Sequence, residues 1–446
     1  MSPPLKPAVV LVADPTLSAR YRVLFEGIFA TAQTTQVPGW MMRHFLAPPA
    51  RANAAARAAT APVGVRRVEA ALLGATPLGP DDVVVTTPEA VDRLLGPWTK
   101  VVGVSSSDPL GHGMSNTTTR EFSPGVLYTR LWTDRLMGRL AEARERFGFR
   151  IVAGGAGAWQ YVHHPDDAAR HGVDTVFEGY VEGDGPAHFL AMVEGEEPPP
   201  RLHSRATAAG DARPVRGPTM MGTVEFSRGC GNGCRFCLMA DRRMEHVAEE
   251  TILADVETNV AAGTRALVSS SEDFFRYGGK GRRVNFERLR NLLERMQPVR
   301  RGTFMQTGHA NITSVLQLAD EELAEIRRLL AADPDPRYLW INLGLESANG
   351  RLVAANGPGK IAPFDPDDWG SMALDAADRL RRAGFFPLFS IILGLPGETP
   401  DDVARTLRLV ERLGEAPTSV FPVFHEPVRP DRDGGGFNLP AMTRRH

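Results

Sequence analysis

Cysteine occurs three times in this 446-residue chain, at Cys230, Cys234 and Cys237, all inside the stretch EFSRGCGNGCRFCLMA at residues 225–240. Thiolates spaced C-x3-C-x2-C can wrap one compact inorganic centre, and Gly229, Gly231 and Gly233 ease the turns that point each sulfur inward. A structural zinc wants four protein ligands, so a histidine would have to complete it, and His246 is near in sequence. A 4Fe-4S cluster has four irons, and three cysteines leave one iron open to a substrate or cofactor. A redox dithiol is the third reading. Three thiols cannot all pair within one chain, so they read as ligands or nucleophiles rather than staples.

Other residues able to do chemistry follow at the ends of apolar runs. VSSSEDFF (268–275) places Ser271 and Glu272 there, LGLESANG (343–350) places Glu346 and Ser347, and IILGLPGETPDD (391–402) places Ile392 and Gly394. His309 in MQTGHANI lies at an expected strand end, where it either faces a substrate or is an ordinary core or surface histidine. The basic stretch GKGRRVNFERLR (279–290) suits a phosphate, but reads better as a solvated helix start.

These residues need a frame to hold them. From residue 221 to 415 apolar strand-like runs alternate with amphipathic helical ones, five or six times, as a full or partial β/α barrel requires, here a partial (β/α)6 barrel. Active sites of such barrels gather at the C-terminal ends of the strands, and the cysteines lie just after the first one. Residues 1–195 show the same alternation, in AVVLVAD, DDVVVTTPEAVDRLL, KVVGVSSS and RIVAGGAGA, and read as a doubly wound parallel sheet of α/β class. Residues 196–220 are polar and rich in Pro, Gly and Ala, as in a linker, and 416–446 read as a short tail. The long connection RYRVLFEGIFATAQTTQVPGWMMRHFLAPP is rich in aromatic residues and Met, which suits either a flat apolar ligand or core.

Composition narrows the classes further. With 43% hydrophobic and 23% charged residues the chain can bury substantial cores, and its net charge of −2 gives no reason to expect a nucleic-acid partner. No apolar run approaches the roughly 20 residues of a membrane span, and the N-terminus shows no cleavable signal pattern, so a cytoplasmic location is expected.

The run CGNGCRFC, with Phe236 before its last cysteine, resembles the signature of the radical S-adenosylmethionine (radical SAM) superfamily. The resemblance implies a 4Fe-4S cluster on Cys230, Cys234 and Cys237, whose open iron chelates S-adenosylmethionine (SAM) and whose electron breaks the sulfonium bond to give a 5′-deoxyadenosyl radical. It implies that Phe236 packs beside the adenine and that Ser271-Glu272 stands where the family often has Gly-Glu meeting the methionyl ammonium. Glu346 and Ser347 would contact ribose and methionine, and the backbone around Ile392 and Gly394 would lie along the adenine.

A doubly wound domain ahead of such a barrel resembles the cobalamin-binding branch of the superfamily, with its many methyltransferases. In that resemblance the loops at Ser105, Ser106 and Ser107 and at Gly154 and Gly155 receive the nucleotide tail of cobalamin. One departure stands out: the branch often carries Asp-x-His-x-x-Gly after the first strand, and here ADPTLSARYR has no His, so cobalamin would lack histidine ligation. The expectation is a cobalamin-dependent methyltransferase acting on a small molecule or peptide, with a flavodoxin or ferredoxin as electron donor. The alternatives are a cobalamin-free radical SAM isomerase, cyclase or oxidoreductase, and a non-enzymatic iron–sulfur sensor.

Overall fold

The run VVLVA forms β1 (Val9–Ala13), buried along its whole length because apolar residues of both parities meet helices on both faces of a parallel sheet. Val9 and Leu11 pack with Val65, Leu72 and Phe189, while Val10 and Val12 pack with Leu136, Met137 and Leu140 on the other face. The structure is a computed structural model and describes residues 5–204, 208–239, 242–332, 339–428, 436–444 and 446. It divides into two units, Met1–Thr223 and Val224–His446.

In the first unit β1 is joined by β2 (Val83–Val85), β3 (Val101–Ser105), β4 (Arg150–Gly154), β5 (Thr175–Glu178) and β6 (Arg201–His203), all parallel, in the order β2-β1-β3-β4-β5-β6. The doubly wound expectation holds. The chain leaves β1 toward β2 and then returns to place β3 on β1's other side. This reversal opens the crevice where such sheets bind ligands.

The segment expected as a linker supplies the edge strand β6. Only Leu202 of its three residues is buried, so the hydrophobic signal is a single residue long. The chain beyond β6 is docked too: the Arg67 guanidinium donates to the Arg213 carbonyl at 2.7 Å. The aromatic-rich connection after β1 divides in two. Tyr21, Ala30 and Met42 join Tyr128 and Trp132 in a small core, while Phe29, Trp40 and Phe45 are exposed.

The second unit contains β7 (Thr223–Glu225), a ribbon of β8 (Ser227–Arg228) with β9 (Glu245–His246), then β10 (Ala266–Ser270), β11 (Phe304–Gln306), β12 (His309–Ala310), β13 (Leu339–Glu346), β14 (Phe385–Leu393) and β15 (Ser419–Phe424). Pairing runs β11-β10-β7 and β12-β13-β14-β15. Only Thr307 and Gly308 separate β11 from β12, and the Asn342 N–H donates to the Gly308 carbonyl at 3.2 Å, so the two act as one interrupted strand. Six successive strands result, a partial (β/α)6 barrel. The last, β15, lies in the stretch expected as a tail. Its Pro422 breaks the strand signal in sequence, yet an edge strand tolerates it.

Helices Glu249–Ala261, Phe286–Arg300, Asp320–Leu330, Trp369–Arg382 and Pro400–Leu413 follow the strands. The last starts where Thr399 and Asp402 satisfy each other's backbone N–H groups, with Pro400 in the first turn. Among the described residues no helix is long and apolar enough to cross a membrane.

Candidate active site

The cysteine loop follows β8 at the C-terminal end of the barrel's first strand, with Cys230 and Cys234 buried. Two guanidiniums and one neighbouring segment hold its backbone. Arg276 donates to the Cys230 carbonyl and Arg282 to the Gly231 carbonyl, both at 3.0 Å. The Gly359 N–H donates to the Asn232 carbonyl and the Arg235 N–H to the Asn356 carbonyl, both at 2.8 Å. Gly357 is required there: a Cβ on it would stand 2.7 Å from the Cys234 sulfur.

Burial pushes the Cys234 thiol up to about 12 and the Cys237 thiol up to about 11, so bare thiolates are disfavoured in this pocket. A cationic metal centre would reverse that preference. Among the described residues no three His, Cys, Asp or Glu side chains converge on a single-ion site. His246 does not complete one, because its Nε2 lies 3.0 Å from the Gly279 carbonyl and its ring packs on Tyr277. A four-iron cube sets its ligating sulfurs wider apart than one ion does, and the donor set fits that group.

Glu272 follows β10 and has a buried Oε2 with no hydrogen-bond partner. Burial first, then the Glu225 carboxylate, push its pKa up to about 7. Such an acceptor suits a bound ammonium. Ser271 is used locally, its hydroxyl 2.5 Å from that of Ser227.

Glu346 sits at a bulge in β13 with φ of 63° and pairs with Lys360 at 2.6 Å. Ser347 is turned elsewhere. Its hydroxyl lies 3.3 Å from that of Thr406 on helix Pro400–Leu413, so the structure does not bring it together with Glu346. Ile392 and Phe236 are buried. The Gly394 N–H donates to Glu398 Oε2 at 2.6 Å, and the Phe437 ring lies where a Cβ on Gly394 would go. His309 on β12 is exposed, and desolvation first, then the Lys360 ammonium, lower its pKa.

Three residues of this site were not singled out from sequence. Lys360 lies in NGPGK, whose two glycines beside a lysine are the only signal. Arg276 closes a short turn after Glu272 and faces the buried Asp273 at 4.0 Å. Arg282 belongs to the basic stretch expected as a solvated helix start. The helix begins only at Phe286, capped by Asn285, and the arginine before it braces the cysteine loop.

In the first unit the serine and glycine loops meet each other. A Cβ on Gly155, whose φ is 92°, would lie 2.6 Å from the Ser106 carbonyl oxygen. Ser105 ends β3, Ser106 is buried with an unpartnered hydroxyl, and Ser107 is exposed. Gly154 ends β4, and its carbonyl accepts the Ser106 N–H at 3.1 Å. Asp14, after β1, is fully buried and also keeps one oxygen without a partner. No histidine occupies the loop after β1, where Thr16 donates its hydroxyl to Asp14 at 2.5 Å. His112 stacks on His164, centroids 4.5 Å apart and planes 8° from parallel.

Residues 224–410 match the family model of the radical SAM superfamily. The barrel is a radical SAM domain. Among curated proteins the chain is 24% identical over 267 residues to a tRNA-2-methylthio-N(6)-dimethylallyladenosine synthase of Desulfosudis oleivorans, covering 58% of this chain and 53% of that protein. It is 25% identical over 241 residues to the ribosomal protein uS12 methylthiotransferase RimO of an Anaeromyxobacter species, covering 53% and 46%. The chain thus spans about half the length of the curated relatives it matches.

Solved structures of the radical SAM methyltransferase TsrM from Kitasatospora setae share the fold. One, with cobalamin and a 4Fe-4S cluster bound, has a TM-score of 0.58 at 14% identity, covering 93% of this chain and 75% of that one. A second, with tryptophan and a SAM analogue, has a TM-score of 0.58 at 13% identity, covering 94% and 75%. The likeness extends beyond the radical SAM domain to the doubly wound first unit.

Proposed function

We propose that this protein holds a 4Fe-4S cluster on Cys230, Cys234 and Cys237, binds SAM at the open iron, and uses cobalamin in its first unit to methylate an unactivated carbon. The observation that carries the reading is the braced loop, which gathers Cys230, Cys234 and Cys237, two of them buried, in a chain where a buried Glu272 oxygen is left without a partner. When bound, the cluster and SAM supply an electron and a 5′-deoxyadenosyl radical, and cobalamin a methyl group.

The chain's own residues bind and orient. Glu272 accepts the methionyl ammonium, Glu346 the ribose hydroxyls, and Phe236 with Ile392 walls the adenine. Arg276 and Arg282 keep the loop from relaxing when the cluster is loaded. In the first unit Asp14 and Ser106 follow β1 and β3 at the sheet's switch point, where doubly wound sheets bind their ligands. The tryptophan held by one TsrM structure supports a small-molecule substrate, and the names of the curated relatives support methyl-bearing products.

Anaerobic reconstitution tests the core of the reading. Protein with about four iron and four sulfide per chain should convert SAM to 5′-deoxyadenosine with dithionite. One zinc per chain and no iron would refute it.

A second reading has its own observation. Because Gly155 packs directly on Ser106, the first-unit loops are closed on each other, which favours a radical SAM enzyme without cobalamin. Corrinoid retained after anaerobic preparation with hydroxocobalamin decides for the methyltransferase, and its absence for the second reading.

A further inference from the structure

We infer that Lys360 is a positioning residue whose charge links SAM binding to the reduction potential of the cluster, with Glu346 holding that charge in check until a ribose takes the carboxylate. The inference rests on the proposed cluster and SAM site and deepens it.

Lys360 is fixed to the cysteine loop through its own backbone. Its N–H donates to the Gly357 carbonyl at 2.9 Å, and the neighbouring Gly359 N–H reaches the Asn232 carbonyl at 2.8 Å. Asn311 donates to the Lys360 carbonyl at 3.0 Å from the other side. The side chain then turns to Glu346, and the ion pair is largely buried, at 12% and 6% exposure. Gly344 on β13 leaves room for it, since a Cβ there would overlap both charged groups.

The segment that carries Lys360 also lies against a ligating sulfur: Gly357, whose carbonyl accepts the Lys360 N–H, would place a Cβ 2.7 Å from the Cys234 Sγ. Asp273 and His309 lie within the field of the Lys360 ammonium. The Glu346 carboxylate at 2.6 Å supports the ammonium against the cost of burial.

Reduction adds one negative charge to a cluster. A bare ammonium beside it favours that step, and one neutralised by a carboxylate does so far less, in a pocket where water screens little. Glu346 is well placed to let go. It sits in left-handed backbone, which a glutamate adopts only under constraint, beside a bulge that breaks the β13–β14 register. When Glu346 turns to ribose hydroxyls, Lys360 is left facing the sulfurs.

The test is a redox titration of the reconstituted full chain, read by the electron paramagnetic resonance (EPR) signal of the reduced cluster, with and without SAM. Lys360→Met should lower the reduced-to-oxidised ratio at a fixed potential about tenfold, or ~59 mV for one electron. Glu346→Gln should raise that ratio without SAM, and Lys360→Arg should stay near the parent. The double variant Lys360→Met/Glu346→Gln should return near the SAM-free parent and lose the SAM-induced rise. Single variants that shift in the same direction, or not at all, overturn the inference. Iron and sulfide measured on the same samples separate the two failures: no cluster refutes the proposed function, whereas a full cluster with unmoved potentials refutes only the role of Lys360.

Discussion

The cysteine loop of the barrel and the serine and glycine loops of the first sheet are built from similar material, small residues at the C-terminal ends of parallel strands. Their glycines face different things. Gly357 stands off the Cys234 sulfur, so its missing side chain keeps space for a ligating atom and what it binds. Gly155 stands against the Ser106 carbonyl, so its missing side chain lets two segments of the same chain touch. A small-residue loop in sequence therefore reports close approach, not the identity of what approaches.

The largest expected effect breaks the barrel side of this comparison. Cys230→Ala, Cys234→Ala and Cys237→Ala should each take bound iron and sulfide from about four per chain to near zero, because no spare thiol exists. Elemental analysis after anaerobic reconstitution reads the result. A variant that kept a full complement would remove that cysteine from the ligand set.

The two glycines give the next effect, and it should differ in kind. Gly155→Val forces a β-branched residue to a φ of 92° and into the Ser106 carbonyl, which should cost on the order of 3 kcal/mol. Thermal denaturation should show it before any corrinoid is added, with iron content unchanged. Gly357→Ala should do the reverse, lowering iron content by crowding Cys234 while changing the melting temperature little. If Gly155→Val melts like the parent, the closed loops are the wrong description of the first unit.

A third effect is set by pH. Burial raises Glu272 to about 7 and Asp273 to about 6, above their ordinary values. A carboxyl raised in the folded state adds stability that is full below its unfolded pKa and fades as pH climbs through the folded value. The cluster-free protein should therefore lose on the order of 4 kcal/mol between about pH 5 and 8. Glu272→Gln should flatten the part of that loss near pH 7. A denaturant midpoint followed across pH measures it, and a parent profile that rises over the same interval would contradict the burial of these groups.

Much of this was legible because it is local. Three cysteines within eight positions and Glu272 just behind an apolar strand need no tertiary information. Alternating strands and helices gave both sheets for the same reason. What escaped depends on chain return. Lys360 reaches Glu346 only after helix Gly350–Asn356 and the glycine turn bring it back, and Arg276 meets the Cys230 carbonyl across 46 positions of sequence. Ser347 follows Glu346 in sequence, but after the bulge in β13 its hydroxyl lies 3.3 Å from that of Thr406, which spacing could not show. β6 and β15 were hidden by composition, one with a single buried residue and the other with a proline.

The smallest expected effect sharpens the other side of the comparison. His112 is the histidine nearest in sequence to the Ser105–Ser107 loop, but its ring is stacked on His164, and its backbone N–H is tied to Asp108 at 2.8 Å. Burial and then the neighbouring His164 lower its pKa to about 4, which keeps the ring neutral without freeing it. Reaching a cobalt would mean giving up the stack and moving a loop that Asp108 also anchors through Gln160 at 2.5 Å. The loop after β1 carries no histidine, and its Thr16 hydroxyl is already bonded to Asp14. His112→Ala should therefore leave corrinoid binding unchanged, and the EPR spectrum of the bound Co(II) form should show no histidine nitrogen splitting in parent or variant. Splitting that disappears with His112→Ala would show that the loop opens to ligate cobalt, and the closed arrangement of the serine and glycine loops would then be the one that cobalamin displaces.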